Sequence, residues 1–136
     1  QGWQEYIDTM IVLDYLILNR DRHGANIEVL RNSRQHTLRI APLFDHGASL
    51  LYSCANDDAA MNFDILADKP CNNYIGSFSC YDNLSLLPKD TRPLKGILKP
   101  HHKNVIFEDL YGIISETFIN RIWDMIYERY MIYENI

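Results

Sequence analysis

The sequence has few cysteines, no excess of cationic side chains and no long apolar run. Its 3 cysteines are an odd number without a C-x-x-C pair, which argues against a disulfide framework and favours a reducing compartment. The formal net charge is -5, so no broad nucleic-acid interface is expected. The most apolar early run, residues 10–18, is interrupted by Asp14 and is too short to span a bilayer. We therefore expect a cytoplasmic protein without direct nucleic-acid or membrane partners.

What the sequence does contain is enough apolar material for one folded unit. Apolar residues make up 47% of the chain and charged residues 23%, as in ordinary globular proteins. A length of 136 residues suits one domain or one lobe of a larger domain. We therefore treat residues 1–136 as a single unit.

Apolar side chains at three- and four-residue spacing predict the helices. Residues 3–18 carry a broad apolar face, and residues 117–134 carry the clearest apolar stripe. Weaker patterns predict a short helix within 55–67 and a helix over 103–113 with apolar residues along one side. Residues 69–93 have turn residues throughout and no clear period, and such a segment in a compact domain is often functional.

Two short runs of branched and aliphatic residues predict a pair of strands. They cover residues 27–31 and 37–43, and residues 32–36 would join them as a hairpin loop. Because a hairpin returns the chain to where it began, its outer ends, marked by Asn26 and Asp45, should be neighbours in space. The predicted fold class is mainly α with a small β-hairpin, that is, α+β.

Polar residues around this hairpin have the spacing of a phosphoryl-transfer site. That chemistry needs a carboxylate to orient the attacking hydroxyl and oxygen ligands for Mg²⁺. Protein kinases supply them from a D-x-x-x-x-N loop and from the Asp of a later D-x-G. Asp21 and Asn26 have the first spacing, and Asp45 begins a D-x-G after the hairpin. Asp or Asn alone would indicate an ordinary turn. The prediction of a phosphoryl-transfer site therefore depends on Asp21, Asn26 and Asp45 together with the hairpin between them.

The stretches "NRDRHGAN" and "IAPLFDHGASLL" resemble the HipA-like serine/threonine kinases of bacterial toxin–antitoxin modules. In that family an Asp-Arg-His-x-x-Asn loop precedes a strand that ends in a "LAPLYD"-type sequence. The same loop form occurs in phosphatidylinositol 3- and 4-kinases, but the "APLFD" segment favours the HipA-like group. The resemblance covers residues 14–51 well, and the rest of the chain agrees only in its helical character.

The resemblance implies a role for each polar residue of this segment. Asp21 would be the catalytic base, and His23 would brace the catalytic loop beside it. Asn26 and Asp45 would bind Mg²⁺ and, through the metal, the phosphates of ATP. Arg22 would either bind phosphate of the ATP cofactor or fix the loop. The implied fold is the C-terminal lobe of a protein-kinase-like enzyme.

Three further positions are considered beside these. Arg20 has the same two alternatives as Arg22. Asp14 is interpreted as a surface position or a polar contact of its helix, slightly ahead of a role in orienting the catalytic loop. His46 stands where many kinases carry Phe, so arguments about that Phe switching between states do not transfer to this chain.

The sequence also lacks parts that a kinase needs. No Gly-rich phosphate loop and no strand lysine with a helix glutamate partner lie among the eighteen residues before the loop. We expect the chain to be the catalytic lobe of a longer or two-chain kinase, inactive alone, with its N-terminal lobe supplied in cis or in trans. The resemblance implies a protein serine or threonine hydroxyl as acceptor and an antitoxin as a further partner.

Two other functions stay open at this point. The chain could be a non-catalytic module that binds an antitoxin or a partner lobe without turning over ATP. It could also be a fragment similar to a lipid kinase. A net charge of -5, without a basic stripe for anionic head groups, weighs mildly against the lipid kinase.

Overall fold

The computed structural model of the protein describes residues 2–136. It contains four α-helices and one antiparallel strand pair, joined by irregular segments with three short 3-10 turns. In chain order the helices and strands are α1 (Trp3–Leu16), β1 (Val29–Asn32), β2 (Thr37–Ile40), α2 (Asp57–Asn62), α3 (His102–Phe107) and α4 (Glu116–Glu134). The predicted α+β class with a single hairpin is therefore confirmed. No helix within residues 2–136 is both long and apolar enough to cross a membrane.

The two long helices form the centre of the core, and both agree with their predicted spans within two residues. α1 and α4 pack against each other, and α4 also packs on the short α2. Side chains with no exposed surface, such as Val12, Met125 and Tyr133, fill the space between them. The buried Arg129 of α4 contributes bonds rather than apolar area, and the apolar pattern gave no indication of it.

The hairpin stands apart from this core. Val29 pairs with Ile40 and Asn32 with Thr37, and the bond from the Ala41 amide to the Glu28 carbonyl, 2.8 Å, extends the pairing toward the open end. Every residue of β1 is exposed. The hairpin is thus anchored mainly at its open end, where the predicted site residues lie.

The helix predicted over residues 103–113 is wrong in its second half. α3 ends at Phe107, a 3-10 turn follows to Leu110, and Gly112 has φ 82°, which an α-helix cannot include. Phe107 is buried, whereas Val105 and Ile113 are 65% and 75% exposed. The apolar residues of this region therefore do not form one inward-facing stripe.

The segment predicted to lack a regular period, residues 69–93, contains one 3-10 turn, Asp82–Leu86, and is otherwise irregular. Asparagine side chains order it. The Asn83 side chain accepts a bond from the Ser77 amide and donates to the Ser77 carbonyl. Gly76 has φ 82°, and a Cβ there would overlap the Asn83 side chain, so only glycine fits this turn.

Candidate active site

The loop that follows α1 starts from buried polar contacts. Leu18 has φ 48°, which turns the chain out of the helix. Asn19 has no exposed surface, and its side-chain amide donates to the Asp14 carboxylate at 2.9 Å. The Asn19 side-chain oxygen in turn accepts from the backbone amide of Asp21 at 3.2 Å. The position of Asp21 is therefore set by the end of α1.

One buried guanidinium brings the two ends of the hairpin together. Arg22 is 1% exposed, and its Nε and Nη2 atoms each lie 2.9 Å from an oxygen of the Asp14 carboxylate. Its Nη1 donates to the carbonyls of Phe44, at 2.9 Å, and of Asn26, at 3.3 Å. Since Phe44 directly precedes Asp45, the same side chain holds the loop end and the start of the D-x-G.

These contacts decide between the alternatives for Asp14 and Arg22. Asp14 is 5% exposed, so a surface position is wrong, and its carboxylate holds the loop through Arg22 and Asn19. The burial of Arg22 and its four bonds favour loop fixing over contact with a phosphate. The pair has the two-oxygen geometry that makes guanidinium–carboxylate bonds strong and directional.

Asp21 presents a partly open carboxylate. Its side chain is 44% exposed, Oδ1 accepts from the Asn72 side-chain amide at 3.1 Å, and Oδ2 lies 3.7 Å from His23 Nε2. His23 Nδ1 accepts from the Ala25 amide at 3.2 Å and caps the turn Gly24–Asn26, which assigns the ring proton to Nε2. His23 thus braces the loop and directs an N–H toward Asp21.

Asn26 and Asp45 keep their oxygens available. Asn26 is 4% exposed, and its side-chain nitrogen donates to the Asp21 carbonyl at 2.8 Å, which leaves its Oδ1 as an acceptor. Asp45 is exposed and has φ 55°, a conformation that Asp tolerates better than most residues. Nothing within residues 2–136 donates a hydrogen bond to either of these side-chain oxygens. An amide oxygen and a carboxylate are ligand types that suit Mg²⁺.

Asn72 belongs to the site although no sequence pattern pointed to it. It lies 51 residues beyond Asp21 in a segment without a clear period, yet its side chain is bonded to the Asp21 carboxylate. The backbone amide of Asn72 also donates to the Arg20 carbonyl at 2.8 Å, and the backbone amide of Tyr74 donates to the Arg22 carbonyl at 2.8 Å. Residues 72–74 are therefore laid along the loop, which is a long-range contact that no local pattern reports.

A cavity of about 460 Å³ opens beside Asp21, and we call it the Asp21 cavity. Its lining consists of Arg20, Asp21, Ala48, Tyr52, Pro70, Cys71, Asn72 and Phe78. Beneath it the buried thiols of Cys71 and Cys80 lie 3.2 Å apart, with Cys80 donating. This bond lowers the pKa of Cys71, and the same bond together with burial raises the pKa of Cys80.

Comparison with known proteins identifies one kind of fold. The crystal structure of a Helicobacter pylori proinflammatory kinase, CtkA, matches with a TM-score of 0.65 and 22% sequence identity. The match covers 97% of this chain and 55% of that kinase chain, so this chain spans about half the length of the matched protein. No family model matches the sequence, and no curated protein matches it. The chain therefore has a kinase-like fold, at a low sequence identity to this neighbour.

Proposed function

We propose that the chain is the catalytic C-terminal lobe of a HipA-like kinase that transfers the γ-phosphoryl group of ATP to a protein serine or threonine hydroxyl. The observation that carries this proposal is the set of bonds around Arg22. One guanidinium holds the Asn26 carbonyl and the residue before Asp45, while the Asn26 side chain holds the Asp21 carbonyl. Phosphoryl transfer depends mainly on positioning and charge stabilisation, and these bonds position the three groups relative to one another.

Each group then has a defined task. The Asp21 carboxylate orients the acceptor hydroxyl and accepts its proton, with Oδ1 held by Asn72. The Asn26 amide oxygen and the Asp45 carboxylate would hold Mg²⁺, which would supply positive charge to the phosphates of ATP. Within residues 2–136 no cluster of three or more His, Cys, Asp or Glu side chains suited to a metal occurs, so the proposed site rests on Asn26 and Asp45.

The N-terminal lobe that covers the phosphates comes from another part of the same protein or from a second chain. The match to about half of a kinase chain supports this arrangement. Exposed apolar side chains on the hairpin also support it, because Val29 is 48% and Leu38 65% exposed. The lobe alone is expected to be inactive. An antitoxin partner remains a proposal from the family resemblance, and a cytoplasmic location remains a proposal from the cysteine content of the sequence.

A non-catalytic binding module is the second candidate. The observation in its favour is an apolar surface on and after α3, where Val105, Ile106 and Ile113 are 65%, 49% and 75% exposed. A module of this kind binds its partner equally with and without nucleotide. A kinase lobe shows Mg²⁺-dependent nucleotide effects that disappear in Asp45→Ala.

The test is transfer of label from γ-labelled ATP by the longest natural reading frame that contains this chain. Wild type is compared with Asp21→Asn, which keeps the shape of the side chain, and with Asp109→Asn, an exposed aspartate outside the site. We expect Asp21→Asn to lower the rate by roughly 10²- to 10⁴-fold and Asp109→Asn to leave it unchanged. Equal rates in wild type and Asp21→Asn would refute the base. No label in folded wild type would favour the binding module.

A further inference from the structure

The Asp21 cavity contains the proposed base but neither proposed metal ligand. Asp21 lines it, whereas Asn26 and Asp45 do not. In phosphoryl transfer the base meets the acceptor hydroxyl, and the metal ligands meet the phosphates of the donor. A cavity that includes only the base therefore belongs to the acceptor, and its volume of about 460 Å³ can receive the side chains of a short peptide segment.

The contacts of Asp21 leave one of its carboxylate oxygens without a hydrogen-bond donor from residues 2–136. Asn72 occupies Oδ1 at 3.1 Å, and His23 Nε2 is 3.7 Å from Oδ2, beyond hydrogen-bond distance. With 44% of the side chain exposed, the carboxylate remains open to an incoming hydroxyl. Asn72 also lines the cavity, so the residue that orients the base forms part of the wall beside it.

Arg20 gives this cavity a charge. Its Nε donates to the Pro70 carbonyl at 3.1 Å, and its Nη1 lies 3.4 Å from the Tyr52 hydroxyl. These bonds hold the guanidinium at the cavity wall. The Asp21 carboxylate shares this cavity, but no carboxylate within residues 2–136 lies within salt-bridge distance of Arg20, and the arginine–carboxylate pair in that part of the chain is Arg22 with Asp14. Its Nη2 donates no hydrogen bond within that part of the chain and can serve a ligand.

The remaining walls suit a polypeptide rather than a small ion. Tyr52 is 52% and Phe78 74% exposed, and both rings line the cavity. Aromatic rings beside a guanidinium offer apolar contact to a peptide backbone and charge contact to one of its side chains. The protein as a whole has a net charge of -5, which disfavours acidic ligands elsewhere on its surface. A preference for an acidic acceptor would therefore originate at Arg20.

We propose that the Asp21 cavity is the acceptor subsite, and that Arg20 selects serine or threonine acceptors with a carboxylate side chain next to the phosphorylated residue. This inference rests on the proposed kinase function and specifies its substrate class. The guanidinium pairs with the acidic neighbour of the acceptor residue while the Asp21 carboxylate receives the hydroxyl. The pair is partly exposed to solvent, so its effect is a modest selectivity rather than an absolute requirement.

The test uses the full natural protein and three peptides that differ only beside a central serine, where they carry glutamate, glutamine or lysine. We measure kcat/KM for each. Wild type is expected to prefer the glutamate peptide over the glutamine peptide by roughly three- to tenfold. Arg20→Gln should remove that preference, and Arg20→Glu should reverse it toward the lysine peptide. Arg31→Gln, which removes an exposed cation on β1, should retain it.

Arg20→Lys separates the charge from the bond to Pro70, because lysine keeps the cation and lacks the Nε donor. A retained glutamate preference in this variant supports selection by charge. Equal kcat/KM for the three peptides in wild type would overturn the acceptor subsite but not the kinase function. The same conclusion would follow if none of the peptides were labelled while another protein acceptor was. An equal loss on all three peptides in Arg20→Gln would also overturn the acceptor subsite. No transfer to any acceptor by folded wild type would refute the kinase function and this inference together.

Discussion

Two buried arginines, one at the candidate site and one in the helical scaffold, stabilise their surroundings in different ways. Arg22, at the candidate site, and Arg129, in the scaffold, are each 1% exposed. Arg22 shares its guanidinium between the Asp14 carboxylate and two backbone carbonyls. Arg129 donates to three backbone carbonyls, those of Tyr15, Ile65 and Ala67, and forms no ion pair with the described residues.

The difference concerns what happens when one partner is lost. At the site, removal of Asp14 would leave a buried cation without a counter-charge, and such a charge is costly. In the scaffold, the cation depends on carbonyl dipoles and on the Tyr15 ring, whose centroid lies 5.2 Å from the guanidinium carbon. Burial lowers the pKa of Arg129, as expected of a cation without a carboxylate partner. Both arginines order irregular segments that lack the regular backbone hydrogen bonds of a helix or a sheet.

The largest effect is expected where a charge is left unpaired. Asp14→Leu should lower the free energy of unfolding by about 3 to 5 kcal/mol, measured by urea denaturation, because Arg22 remains buried without its partner. Adding Arg22→Met should restore part of the loss, since the double variant contains no buried charge at positions 14 and 22. A loss below about 1 kcal/mol in Asp14→Leu would show that the pair does not stabilise the site.

Removal of the scaffold arginine should cost somewhat less. Arg129→Met removes a donor from the carbonyls of Tyr15, Ile65 and Ala67 but leaves no unpaired charge, so we expect a loss of about 2 to 4 kcal/mol in urea denaturation. Phosphate transfer per folded molecule should stay close to wild type, because Arg129 contacts none of the site residues. A tenfold fall in kcat with the fold intact would mean that scaffold and site are not separable in this way.

A smaller effect is expected where the scaffold reaches into the site through Asn72. Under the proposed function, Asn72→Ala should lower kcat about tenfold with little change in KM for ATP, because the Asp21 carboxylate loses a bond that orients it. Asn73→Ala is the matched control, since Asn73 donates to the Ser77 carbonyl within its own segment. Equal effects of the two substitutions would indicate that Asn72 acts only through the stability of the segment.

The local parts of the site could be predicted from the sequence, and its long-range supports could not. The spacing of Asp21 and Asn26, the hairpin and the D-x-G lie within one short stretch, so local pattern and resemblance were sufficient to group them. Asn72 reaches Asp21 across 51 residues from a segment without periodicity. Asp14 was misjudged because an acid in an apolar helix resembles a surface position until its partner, Arg22, is located.

The fold shows the same division. α1 and α4 were predicted because their apolar faces repeat at helical spacing over many residues. The region after α3 was predicted incorrectly because its apolar residues have helical spacing but lie on the surface, and Gly112 ends the helical pattern. Arg129 was missed since a cation within an apolar stripe is normally assigned to solvent.

The smallest expected effect tests the scaffold arginine through its aromatic neighbour. Tyr15 is 2% exposed, and burial raises its pKa from 10.0 to about 12. Between these two values the unfolded chain has lost the phenolic proton while the folded protein retains it. Stability is therefore highest below pH 10 and falls as the pH rises toward 12, by about 1 kcal/mol between pH 9 and pH 11 from this group alone.

Other buried tyrosines contribute to the same fall, because burial also raises the pKa of Tyr130 and of Tyr133. The contribution of Tyr15 is thus the difference between wild type and Tyr15→Phe, which keeps the ring beside Arg129 and removes the titrating group. Urea denaturation at pH 9 and pH 11 should give a shallower loss for Tyr15→Phe. An equal loss of stability from pH 9 to pH 11 in wild type and Tyr15→Phe would mean that the Tyr15 hydroxyl is hydrated in the folded protein. The surroundings of Arg129 would then be less apolar than its three carbonyl partners indicate.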